Sequence, residues 1–358
     1  MDKNNIYLSE SPAKIRILNR PFHTTDILFR KCPDDMKNEV KCMRNLVNNL
    51  NVKATSQEDL QQILKLCTIY DQAMYGEIDT TVEDITNSWK GIDVSKNSYV
   101  VMDKDEIIAY GILTGNERQF PSAVFVNPDY MNQEIEHVIW SKLEERAMEL
   151  VSNLSCSNGT IITQANNFYE EKVLREGGFI PTRIWWGMEI ELNSNIPTPL
   201  WPNGVTVRHY IPGVDDERLH QAFNEAFADH WNSQPSKLEE FLQRTERDGF
   251  HPTLWSLAML DDEVVGFIFS KKGADDNKAE ITHLGVRRSK RKQGLGLALL
   301  HHAFGQLYEE GISKIHLNVD SENITGAPRV YETAGMEVQS KFVRFDKEVL
   351  LENKEEVQ

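Results

Sequence analysis

The stretch LGVRRSKRKQGLGLALL, Leu284 to Leu300, runs from an apolar strand into a basic turn and then into a helix. Strand, glycine-containing turn and helix in that order make an anion-binding element. Glycines at 294 and 296 admit close backbone approach, and the helix start adds its partial positive charge. Arg287, Arg288, Lys290, Arg291 and Lys292 add full charges. The same residues read as a solvated charge run capping a helix are the bland alternative. Two familiar glycine motifs are excluded. A dinucleotide fingerprint needs a third glycine where Leu299 stands, and a P-loop needs a G-K-[ST] that is absent.

The spacing that remains is Arg-x-x-Gly-x-Gly, formed by Arg291, Gly294 and Gly296. On this motif and the surrounding element order, residues 205–350 resemble the GCN5-related N-acetyltransferase superfamily, an α/β fold with a mixed sheet. The resemblance implies a CoA pyrophosphate on Arg291, Lys292, Gln293, Gly294, Leu295 and Gly296, with the pantetheine arm against the backbone of Leu284 and Val286. It also implies acetyl-CoA as co-substrate and no metal. In LNVDSENITGAPRVYETAGM it places Asn323 near the pantetheine and Tyr331 near the leaving thiolate. A phenol suits a general acid because its ordinary pKa near 10 keeps it protonated at neutral pH. A core tyrosine packing its helix on the sheet is the alternative.

Attack on a thioester needs a neutral amine, and the resemblance implies Glu280, eleven residues before Arg291, as the candidate base. Regular alternation would put Glu280, Thr282, Leu284 and Val286 on one face and His283 on the other. The resemblance implies that acceptor recognition falls to the loop FADHWNSQPS, which makes Asp229, His230 and Trp231 substrate-pocket candidates, with Asp229 as a seat for an ammonium. The four cysteines, Cys32, Cys42, Cys67 and Cys156, all precede this region, so it holds no cysteine nucleophile, and direct transfer in a ternary complex follows. No C-x-x-C pair points to zinc or redox chemistry.

Working outward, 358 residues suggest two domains at roughly 150 residues each. The stretch NSNIPTPLWPNG, residues 193–204, reads as the linker between them. Residues 51–192 repeat the element order of 205–350: NFYEEKVLREGGF matches PRVYETAGM at the glycines, which sets Asn166 against Asn323 and Leu174 against Tyr331. In this copy Met131, Glu134 and Glu136 replace Arg291, Gly294 and Gly296, and Phe120 replaces Glu280. It resembles a degenerate GNAT-like domain, as in tandem acetyltransferases of the mycothiol synthase type. Trp185 and Trp186 line a cleft or fill a core. Residues 1–50 form an extension without an assigned role, and 351–358 a charged tail.

A formal net charge of −16 excludes nucleic acid and anionic lipid as expected partners. Nothing resembles a signal peptide or a membrane span, which gives a cytoplasmic expectation. The expected function is acetyl transfer from acetyl-CoA to a primary amine of a small molecule. The alternatives are a lysine or N-terminal protein acetyltransferase, or a non-catalytic acyl-CoA-binding sensor. Oligomeric state is left open.

Overall fold

The computed structural model describes residues 51–351 except 77, 79, 116–117, 132–133, 155–156, 232, 247–249 and 274–276. The extension 1–50, Cys32, Cys42, Cys156 and the end of the charged tail lie outside the described residues.

The chain forms two compact units. The first begins with β1 (Asn51–Ala54), then helices α1 (Leu60–Tyr75), α2 (Val82–Ser88) and α3 (Val94–Asn97). The hairpin β2 (Ser98–Asp103) and β3 (Glu106–Leu113), strand β4 (Gln119–Val126), helix α4 (Ile135–Asn153), strand β5 (Asn158–Ala165) and helix α5 (Phe168–Glu176) follow. The second half repeats this order. After β6 (Ile180–Glu191) come β7 (Thr206–His209), α6 (Asp216–Phe227), α7 (Leu238–Leu242), the hairpin β8 (Trp255–Leu260) and β9 (Glu263–Lys272), and β10 (Lys278–Val286). Then come α8 (Leu295–Glu309), β11 (Lys314–Asp320), α9 (Ala327–Thr333) and β12 (Glu337–Leu350). The β8–β9 turn has Asp261 and Asp262 at φ +50° and +63°, the double left-handed pair that matches the twist of a tight hairpin.

Among the described residues, each unit holds a mixed sheet that is antiparallel except for one short parallel contact. In the first unit β4 runs beside β5 only over Gln119–Pro121, and in the second β10 runs beside β11 only over Lys278–Glu280. Beyond these points the paired strands part. The strands at the two ends of each half are exchanged in sequence. β6 pairs antiparallel with β11 from Glu191 on Lys314 to Trp185 on Asp320, whereas Val343 to Leu350 of β12 pair with Ala165 to Asn158 of β5. One compact unit accordingly contains Ile184–Lys341, and the other takes Phe342 onward.

This differs from the linear division at residues 193–204 in the sequence reading. The proline-rich stretch lies within the second unit, where Ile196 and Trp201 pack on its core and Trp201 meets the His302 ring at 5.8 Å. Prolines and glycine stop regular structure there, but the apolar side chains between them still seek burial.

The second unit's sheet carries a core on each face. Ile281, Ile315 and Leu317 meet Leu299, Leu300 and Phe304 of α8 on one face. Phe267, Phe269 and Trp255 meet Phe223 of α6 on the other. β9 is buried over seven consecutive residues because both faces are covered.

Candidate functional site

The turn between β10 and α8 has the conformation that its glycine implies. Gly294 caps α8 at φ +82°, a Cβ built there meets nothing within 4 Å, and no side chain caps the helix. The first-turn amides of a 15-residue helix thus have no side-chain cap beside an unobstructed Gly294, which fits an anionic group. Gly296 is less demanding, since a Cβ there would make ordinary contacts at 3.7 and 3.8 Å. Leu295 is buried in the core and anchors the helix start. Gln293 donates to the Ser289 carbonyl at 3.2 Å.

The turn's five cations divide into two groups. Arg287 donates to the Val264 carbonyl at 2.7 Å and to Glu225 at 3.0 Å. Arg288 grips Asp229 with two nitrogens, and Arg291 reaches Asp229 at 2.7 Å and the Ala226 carbonyl at 2.9 Å. The three guanidinia therefore pin the turn to the C-terminal end of α6, where cations are favoured by the helix dipole. Lys290 and Lys292 have no ion-pair partner among the described residues. They are the turn's uncommitted charges.

Asp229 was expected to seat an ammonium, and the geometry differs: it is the counter-ion of the turn. The two guanidinia beside it hold its carboxyl at about 2, below the ordinary 3.8. His230, next in sequence, lies 4.5 Å from the Phe227 ring, and burial lowers its pKa. Trp231 is 41% exposed and meets Trp185 edge-on at 6.4 Å. Alternation along β6 separates the two adjacent tryptophans: Trp185 faces Trp231, and Trp186 packs on the α8 core.

β10 does not alternate regularly. Ile281 pairs with Ser270 and His283 with Phe269, so Thr282 is the extra residue of a bulge. The bulge reverses the sequence expectation: Glu280 shares a face with His283, and Leu284 and Val286 share the other with Ile281. His283 packs between Phe223 and Phe227 at 5.3 and 5.6 Å. Leu284 and Val286 pair with β9 on one edge, and no strand among the described residues pairs with their other edge. The Val286 carbonyl accepts from Arg291 at 3.2 Å.

Strand register sets Glu189, His316, Glu280 and Lys271 side by side across β6, β11, β10 and β9. Lys271 lies 2.5 Å from Glu280 and His316 lies 3.9 Å from it. The sequence reading missed His316, Lys271 and Glu189. Period-2 alternation in KIHLNVD signals the face of His316, but no local pattern signals which residues stand beside it.

Tyr331 of α9 belongs to the core on the opposite face, so it and Glu280 flank the parting of β10 and β11 from different sides. Tyr331 is 7% exposed, and its hydroxyl has no hydrogen-bond partner among the described residues. Burial pushes its pKa well above 10.0. Asn323 builds the turn before α9, its side-chain oxygen accepting from the Thr325 amide at 2.8 Å and the Thr325 hydroxyl at 2.5 Å.

The first unit carries the same turn with its chemistry reversed. Glu134 caps α4 at φ +62°, the left-handed conformation that Gly294 takes in α8. The helices α5 and α9 end alike: Phe179 N–H bonds the Leu174 carbonyl at 2.9 Å, and Met336 N–H bonds the Tyr331 carbonyl at 3.0 Å. Leu174 therefore stands where the other unit has its phenol. Among the described residues no helix is long and apolar enough to cross a membrane.

Residues 217–336 match the profile of the Acetyltransferase (GNAT) family. A mycothiol acetyltransferase of Thermobispora bispora is 34% identical over 163 residues, 44% of this chain and 55% of that protein. The chain thus spans about half the length of such curated relatives. A tandem GNAT protein from the clavulanic acid biosynthesis pathway shares the fold with a TM-score of 0.62 at 13% identity, over 84% of this chain and 98% of that one. A GCN5-related N-acetyltransferase from Sphaerobacter thermophilus superposes with a TM-score of 0.72 at 30% identity, over 85% of this chain and 97% of that one. With that extent of agreement in sequence and structure, the chain belongs to the GCN5-related N-acetyltransferase family.

Proposed function

We propose that Ile184–Lys341 catalyses acetyl transfer from acetyl-CoA to a primary amine of a small molecule, directly and without a covalent enzyme intermediate. The observation that carries this reading is the Tyr331 phenol, buried beside the parting strands with no structural hydrogen bond to satisfy. A donor so placed is free to protonate a thiolate as it leaves. Burial keeps it in the protonated form.

The open amides at Leu295 and Gly296, with Lys290 and Lys292, would hold the CoA pyrophosphate, and the three pinned arginines would keep that turn in shape. Acetyl-CoA supplies the activated thioester. Glu280 would take the proton of the incoming ammonium on the other face of the sheet, with His316 and Lys271 beside it. Trp185 and Trp231 would offer a flat apolar wall for the acceptor. The first unit would bind no pyrophosphate, because Glu134 and Glu136 occupy its turn. A cytoplasmic setting suits this chemistry.

The test is a panel of small primary amines incubated with acetyl-CoA and the full chain, with free thiol followed over time. Amine-dependent thiol release is expected. Tight CoA binding with no thiol release for any amine or lysine peptide would overturn catalysis in favour of a sensor.

A further inference from the structure

The first unit contains a cavity of about 160 Å³ that the catalytic reading leaves unused. It lies where β4 and β5 part, lined by Ser122 to Val126 on one strand and by Thr163 and Gln164 on the other. Its charged lining is all acidic. Three carboxylates line it: the partly exposed Asp84, which accepts from the Thr81 N–H at 3.0 Å, and the deeper Glu136, 6% exposed, and Glu170. Glu170 accepts from the Tyr70 phenol, the Tyr75 phenol at 2.9 Å and the Asn166 amide N–H at 2.6 Å. Glu136 accepts from the Tyr169 phenol. Among the described residues lining the cavity none is Lys, Arg or His, and none of the three carboxylates forms an ion pair.

Holding Glu136 and Glu170 away from water without a cation is costly. Helix starts offset part of that cost, since both residues sit in first turns, but they supply no counter-charge. Burial raises the pKa of Glu170 even with three donors on it. A further acceptor is unused: Asn166 donates from Nδ2 to Tyr75 at 3.1 Å, and its Oδ1 is buried with no donor. The walls include the aromatic rings of Tyr110, Phe125 and Trp140.

We propose that this cavity binds a small organic ammonium ion, a primary amine bearing one compact apolar group. Such a ligand brings what the protein withholds: a positive charge for two carboxylates, N–H donors for Asn166 Oδ1, and a cation for aromatic faces. An anionic ligand meets three carboxylates and no cation here. A neutral one leaves the charge uncompensated. The site is separate from the acceptor site proposed on the second unit, and it does not depend on catalysis.

The probe is benzylammonium, titrated calorimetrically into the full chain, with benzyl alcohol as its uncharged counterpart. The cavity site should persist in Glu280→Gln and weaken by about 10-fold or more in Glu170→Gln. Benzyl alcohol should bind more weakly than benzylammonium by a similar factor. A second heat that disappears in Glu280→Gln belongs to the acceptor site. Absence of benzylammonium binding overturns the proposal, as does equal affinity for benzyl alcohol or an affinity untouched by Glu170→Gln. If Glu170→Gln does not fold, Ala123→Phe, which fills the gap from β4, should abolish the binding, and binding that survives it also overturns the proposal.

Discussion

Arg291 Nη1 lies 2.7 Å from Asp229 Oδ2 although 62 residues separate them in sequence. With Arg288 on the same carboxylate, the contact joins the end of α6 to the turn that opens α8. Because the folded-state pKa of Asp229 is depressed to about 2 from 3.8, the stabilisation is fully present above 3.8 and is lost as pH falls toward 2. Urea midpoints of wild type and Asp229→Asn should therefore differ by a constant amount from neutral pH down to about 4 and converge near 2. A gap that persists at the acid end would mean that the contact acts through something other than ionised Asp229.

Tyr331→Phe removes one hydroxyl from a buried ring and no structural hydrogen bond, so the fold should be unaffected. A positioned acid contributes about 10² to 10⁴ in rate, and kcat should fall by ~10² or more with CoA affinity almost unchanged. The raised pKa also predicts no loss of this donor from neutral pH up to 10.0. Single-turnover rates at equal saturation decide the matter.

If Glu280 takes the proton of the acceptor, Glu280→Gln should shift or remove the acidic limb of the pH profile of kcat/KM. His316→Gln should perturb the same limb less, because its ring stands 3.9 Å from the carboxylate. An identical limb in wild type and Glu280→Gln would assign the base elsewhere.

If the turn before α8 holds the pyrophosphate and the turn before α4 does not, calorimetry should return one CoA per chain. Gly294→Glu should abolish that binding: it places a carboxylate over open amides and forces a side chain into a left-handed conformation costing roughly 1 to 2 kcal/mol. The chain already tolerates Glu134 at φ +62°, which indicates that such a residue can be folded there. Glu134→Ala should leave the stoichiometry at one.

Gly285 is required by packing. A Cβ at this position would lie 2.2 Å from Cζ of Phe267, its partner across β9 and β10. Gly285→Ala should lower stability by about 1 to 3 kcal/mol in urea unfolding, the usual range for overpacking a tight core.

Much of this was legible in the sequence because it is written in short-range signals. Asp261 and Asp262 between two apolar runs specify a tight turn, and Gly294 before LALL specifies a helix start with open amides. The duplication is legible too, since Gly178 and Gly335 end matching helices in the same left-handed conformation. What the sequence left undecided depends on partners far along the chain. The bulge at Thr282 turns Glu280 toward His283, and strand register brings His316 and Lys271 beside it. Pairing of β6 with β11 and of β12 with β5 moves the unit boundary into the strands and away from the prolines. Asp229 and the arginines carry charges that any local reading leaves free, and only the packing of α6 beside the turn makes them neutralise one another. Local conformational preference acts over a few residues, whereas register, counter-ion choice and cavities are fixed by burial and hydrogen-bond satisfaction summed over the whole fold.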